Sequence, residues 1–143
     1  MRFSKFMVGV VNIFFVMLFV SSVSAGTTYD GDISAQPETT YVSGIIDTNS
    51  VWTPASSPYI VIGNVLIDTL VTLDIQPGVE VRIDSAKYIM IKGNLNAIGT
   101  ETDSIIITKN GTARWSNLRF KPASAGSLKY CRIEYAENSA IYN

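Results

Sequence analysis

The sequence contains no histidine and a single cysteine, and its basic residues never gather into a run. Without histidine there is no imidazole-ligated zinc site, no Ser-His-Asp triad, and none of the commonest general base at neutral pH. Cys131 cannot form an internal disulfide. It lies in "KYCRIEYA", on the same strand parity as Ile133 and Tyr135, and reads as a small buried hydrophobe. A nucleophilic thiol would need an activating base that the chain lacks. The missing basic run removes the electrostatic footprint of a nucleic-acid binder. Helical spacing of apolar residues is not sustained after Pro58, and no stretch looks like the return arm of a tight hairpin.

What is present begins with an N-terminal segment unlike the rest. Arg2 and Lys5 precede the apolar run Phe6–Val20, which ends in "SSVSAG", with small residues at Val23 and Ala25. This is the pattern of a secretory signal peptide, residues 1–25, cut before Gly26. A membrane anchor is the rival reading. It needs about 20 apolar residues, whereas this run has 15 and includes Asn12. No cysteine follows the run to carry a lipid. Of the 11 basic and 12 acidic residues, cleavage removes two basic ones, leaving a net charge of about −3. The expected location is secreted or at the extracellular cell surface, with no membrane span after cleavage.

Residues 26–43, "GTTYDGDISAQPETTYVS", are polar and without periodicity, and read as a flexible leader. Residues 44–58 carry Trp52 between turn formers and read as an N-terminal cap segment. The plain reading of Trp52 is an apolar lid over a core; the functional one is a sugar-stacking ring. From Tyr59 to Asn143 the chain reads as short strands separated by turn signals, with glycine recurring at positions 63, 78, 93, 99, 111 and 126. That is an all-β pattern, compatible with a sandwich, a barrel or a solenoid.

Internal repetition decides among the three. "GVEVRI", "DSIIIT" and "LKYCRIEYA" superpose with a shift of 26 residues, placing Val79, Ile105 and Cys131 in one column and Val81, Ile107 and Ile133 in the next. A second alignment puts Val65, Leu95 and Leu118 together, each preceded by an asparagine (Asn64, Asn94, Asn117). Those asparagines are either a hydrogen-bonded ladder or independent turn residues. Strands repeating at this distance, with no hairpin return, fit a parallel β-helix of about three rungs whose strands pair with their equivalents one turn away. The core expected from these columns is Val65, Val79, Val81, Leu95, Ile105, Ile107, Leu118 and Ile133.

Several steps in this series resemble secreted right-handed parallel β-helix repeat proteins of prokaryotic cell surfaces, which share the pectate-lyase-like solenoid architecture. They are Trp52 followed by Ser57-Pro58-Tyr59, the Ile75-x-Pro-Gly-Val79 step, the Gly-x-Leu-x-Ala-x-Gly-Thr step at Gly93–Thr100, and Trp115 before a strand. The resemblance runs from Gly44 to Asn143 and implies the right-handed sense and the surface location. Such proteins usually have more rungs. The chain is therefore expected to be a short or incomplete solenoid, with a C-terminal end at Ala140–Tyr142 lacking a polar cap and prone to self-association.

Lyases of this architecture need grouped acidic calcium ligands and a basic residue over the substrate. Here the acids are scattered at Asp68, Asp74, Asp84, Glu101, Asp103, Glu134 and Glu137. Asp84 and Lys87 read as a solvated loop. Glu80 with Arg82 and Arg132 with Glu134 read as charge balance on outward strand faces. "NGT" at Asn110–Thr112 matches a glycan acceptor but also a turn. No catalytic, cofactor-binding or metal-binding residue is assigned, no cofactor is expected, and ligand-binding residues stay open. Two functions are carried forward. One is a non-catalytic surface scaffold contacting polysaccharide or another surface protein. The other is the front part of a carbohydrate-active enzyme whose catalytic rungs lie elsewhere. Fold alone does not choose between them.

Overall fold

The computed structural model describes residues 38–137 and 140–142; the signal-peptide segment and residues 26–37 of the leader lie outside the described residues. The described chain is all-β. Its strands are β1 (Thr40–Ile46), β2 (Ser50–Trp52), β3 (Tyr59–Ile67), β4 (Thr72–Ile75), β5 (Glu80–Ile83), β6 (Ile89–Ile91), β7 (Asn94–Ile98), β8 (Ile105–Lys109), β9 (Leu118–Phe120), β10 (Ala125–Lys129), β11 (Cys131–Ile133) and β12 (Ile141–Tyr142). A 3-10 turn at Pro54–Ser56 follows β2. Among the described residues no helix is long and apolar enough to cross a membrane.

All pairings between these strands are parallel. The larger sheet has the order β11-β8-β5-β3-β6-β9-β12, with β1 lying on β3; the smaller has the order β10-β7-β4-β2. The chain visits the larger sheet, crosses to the smaller, and returns, once per pass. Within a strand the residues alternate, as in the buried-intermediate alternation of β4 and β5, because successive side chains point to opposite faces. The inward set forms one core that includes Ile67, Leu73, Val81, Ile83, Ile91, Leu95, Ile107, Trp115 and Leu118. Between passes the corners are tight. Gln76–Val79 closes a turn through Val79 N–H to Gln76 O, with Gly78 at φ +80°, the left-handed position that a Pro-Gly pair supplies.

The 26-residue register is present as read. Val81 pairs with Ile107 and Ile107 with Ile133, while Ile105 pairs with Cys131. All eight expected core residues are inside or packed on the core, seven fully buried and Ile133 half-buried. Ile107 sits in the middle of its column, so Ile107→Ala is expected to lose about 2–5 kcal/mol by cavity formation. A urea midpoint unchanged from the parent would show the column is not packed.

The second alignment needs correction. Val65 pairs with Ile89, and Ile89 with Leu118, in the larger sheet. Leu95 lies in the smaller sheet, between Leu73 and Gly126. Only Lys92 and Gly93 separate β6 from β7, so similar Asn-apolar steps fall on two different sheets. The asparagine ladder goes with it. Asn64 Oδ1 accepts from the backbone of Tyr88, not from Asn94.

The start of the fold also moves. Thr40–Ser43, read as part of the leader, belong to β1, where Thr40 N–H donates to Pro58 O and Val42 packs on the core. The segment 44–58 then supplies the rest of β1, all of β2 and the 3-10 turn. Within β1 only Val42 and Ile46 are apolar and inward-facing, too few for a period to show. β1 bulges between Val42 and Gly44, where Gly44 takes φ +88°.

Candidate ligand-binding face

Trp52 is not a stacking platform. It is 4% exposed and lies flat against Tyr59, ring centroids 4.6 Å apart and planes 9° from parallel. The Tyr59 hydroxyl accepts from Thr53 N–H at 2.9 Å, which gives the buried phenol its polar partner. The lid reading describes it, and the sugar-stacking reading is withdrawn.

The charged residues are held in small local pairs. Arg82 donates to both carboxylate oxygens of Glu80, at 2.9 and 3.0 Å. That hydrogen bond holds the guanidinium pKa above its ordinary value. Arg132 and Glu134 meet at 3.0 Å. Both pairs face solvent, where such contacts contribute about 0–1 kcal/mol. Asp84 accepts from Asn110 Nδ2 at 2.8 Å, and its backbone carbonyl closes a turn with Lys87 N–H. Asp68 caps Thr69 N–H, Glu101 accepts from the Tyr130 hydroxyl, and Asp103 accepts from Thr102. The fold keeps these acids apart. Among the described residues no three of His, Cys, Asp and Glu come together to hold a metal ion.

Cys131 is half-buried, with its Sγ donating to Ala97 O at 3.2 Å. Burial pushes its thiol pKa up, against a smaller lowering from the Lys129 carbonyl. It is a packed thiol, not an activated nucleophile. Asn110–Gly111–Thr112 forms the bend after β8, with Gly111 at φ +81°, as the turn reading requires.

The smaller sheet presents the most organised polar surface. Asp74 pairs with Asn96, and Thr72 with Asn94, in register across β4 and β7. Asn96 Nδ2 donates to Asp74 Oδ1 at 2.9 Å, Asn94 Nδ2 reaches Thr72 Oγ1 at 3.4 Å, and Asn49 Oδ1 accepts from Thr72 N–H at 2.9 Å. The Asp74–Asn96 row extends to Val51 on β2 and Ser127 on β10. Each asparagine amide satisfies one neighbour and keeps a second N–H and its carbonyl oxygen for another partner. Val51 and Ile98, both exposed on this face, add apolar contact beside the polar row.

The larger sheet carries different chemistry outside. Tyr41, Ile45 and Ile62 are exposed on β1 and β3, and Arg119 lies 4.0 Å from the Tyr88 ring centroid.

None of the ladder residues was singled out from sequence as a binding group. The signal was there, in the 22-residue step from "TLDI" to "NLNA", where Thr over Asn and Asp over Asn fall at outward positions. It becomes legible only when Leu95 is placed over Leu73. No family model matches the chain, and neither the curated proteins nor the solved structures contain a match to it.

Proposed function

We propose that the chain is a right-handed parallel β-helix of the secreted, prokaryotic cell-surface kind, exported by residues 1–25. In this reading it acts as a non-catalytic scaffold that holds polysaccharide on the outward face of its smaller sheet. Support for the architecture comes from the parallel pairing of every strand with its equivalents in neighbouring passes, together with the repeated steps in the sequence.

The observation that carries the function is the Thr72–Asn94 and Asp74–Asn96 ladder. Neighbouring strands stand about 4.7–4.9 Å apart, so the ladder sets amides, hydroxyls and a carboxylate in a regular row. Sugar hydroxyls both donate and accept, and such a row serves both. The flanking Val51 and Ile98 suit the C–H faces of sugar rings. The same groups make a poor acid/base pair, because Asp74 already accepts from Asn96 and its cross-strand neighbours, Val51 and Asn96, bring no carboxyl.

Affinity electrophoresis of the purified chain through gels holding plant and bacterial polysaccharides tests this. Retardation is expected with at least one polymer. Asn96→Ala or Asp74→Ala should weaken it about tenfold, the worth of one or two hydrogen bonds. Retardation unchanged by both substitutions would move the site elsewhere, and none with any polymer would remove polysaccharide as the ligand. Calcium-dependent shortening of the polymer would overturn the non-catalytic reading.

A further inference from the structure

Asn110 is the described asparagine followed by glycine, and it stands where a change of one atom alters a contact between passes. It follows β8, its backbone N–H donates to Ile83 O at 2.7 Å, and its side-chain amide donates to Asp84 Oδ1 at 2.8 Å. Asp84 follows β5, so this hydrogen bond ties the corners of two paired strands. Beyond Asn110 the chain is exposed from Gly111 to Arg114. A methyl group built on Gly111 would meet nothing within 4 Å. Gly111 N–H has no hydrogen-bond acceptor among the described residues. The other asparagines near the core, Asn64, Asn94, Asn96 and Asn117, are each followed by a residue with a side chain, which crowds the same approach.

We propose that Asn110 is a site of spontaneous deamidation, and that the product breaks the tie to Asp84. The backbone nitrogen of Gly111 gives its proton to water and attacks Asn110 Cγ. The new N–Cγ bond forms as the Cγ–Nδ2 bond breaks, and ammonia leaves with a proton. Water then adds to either carbonyl of the succinimide and opens it to aspartate or isoaspartate, with no oxidation or reduction. In the aspartate product an acceptor oxygen replaces the donating amide. A carboxylate then faces the Asp84 carboxylate across a hydrogen-bond distance, where like charges repel. The isoaspartate product also lengthens the backbone at the start of the bend.

The test is incubation of the purified full chain in mildly alkaline buffer, followed by peptide mapping and isoaspartate labelling. Conversion at Asn110 is expected to run several-fold faster than at Asn64, Asn94, Asn96 or Asn117, and Gly111→Ala should slow it several-fold. Conversion at Asn110 no faster than at the others would overturn the site. The structural consequence has its own readout. Asn110→Asp should lower the melting midpoint by several degrees. The exchanged pair Asp84→Asn with Asn110→Asp should recover it, because the amide then donates from the other side. An Asn110→Asp variant as stable as the parent, or a double variant no better than the single one, would overturn the coupling.

Discussion

Trp115→Ala is expected to destabilise the fold by about 3–5 kcal/mol, the usual cost of removing a buried aromatic ring. Trp115 is the largest of the fully buried side chains. Its indole N–H donates to Glu134 O at 2.6 Å, and its backbone carbonyl accepts from Glu137 N–H at 2.7 Å. The ring thus fills the core while its polar edge pins the chain beyond β11. Domains are held by about 5–15 kcal/mol in all, so the variant should be largely unfolded at modest urea. Trp115→Phe separates the two roles. It keeps most of the volume and leaves Glu134 O without its donor, a loss nearer 1 kcal/mol. Circular dichroism against urea gives both values. An alanine variant within about 1 kcal/mol of the parent would mean that the site collapses around the missing ring.

Gly93→Ala should be comparably severe for a different reason. Gly93 makes the corner between β6 and β7, and a Cβ there would run into the backbone carbonyl oxygens of Val71 and Asp68. The neighbours that would have to yield are main chain of the preceding corner, itself held by Val71 N–H to Asp68 O and Asn94 N–H to Val71 O. Overpacking against flexible side chains costs about 1–3 kcal/mol; against fixed backbone the expected loss is at the top of that range or beyond it, about 3 kcal/mol or more. Gly111→Ala is the control, since it has open space and only an unfavourable φ, worth about 1–2 kcal/mol. Thermal melts of the two variants should rank them in that order. Equal melting points would show that crowding at the β6–β7 corner is relieved by movement.

The contrast between these corners explains what could be read in advance. The Ile75–Val79 turn and the Val81–Ile107–Ile133 column were legible because β5, β8 and β11 keep one register. Leu95 was misplaced because alternation tells inward from outward but not one sheet from the other. A two-residue corner at Lys92–Gly93 and a longer one between β8 and β9 look alike in pattern. β1 was missed because the apolar Tyr41 and Ile45 face outward while the polar Thr40 is half-buried, and the bulge between Val42 and Gly44 breaks the alternation. Trp52 was recognised as a lid, yet its partner Tyr59 was not, since stacking between passes depends on register. The Asp74–Asn96 row stayed hidden for the same reason. Outward polar residues are ordinary one at a time and acquire meaning only when paired across strands.

Among the described strands, β3 is the one that serves two later strands at once. Tyr59–Val61 pairs with β5, Val65–Ile67 pairs with β6, and both halves lie on β1. The contacts that stitch successive passes together span similar chain lengths, as in the separations of 22, 24 and 26 residues at Asn96–Asp74, Tyr88–Asn64 and Asn110–Asp84. Closing loops of such similar size costs nearly the same entropy each time, because that cost grows only with the logarithm of loop length. No single step is then made slow by an unusually distant partner. The order of folding falls to local stability instead, and β3, templated along both edges, is the natural place for growth to begin. Refolding would spread from it towards β11 and β12 one pass at a time.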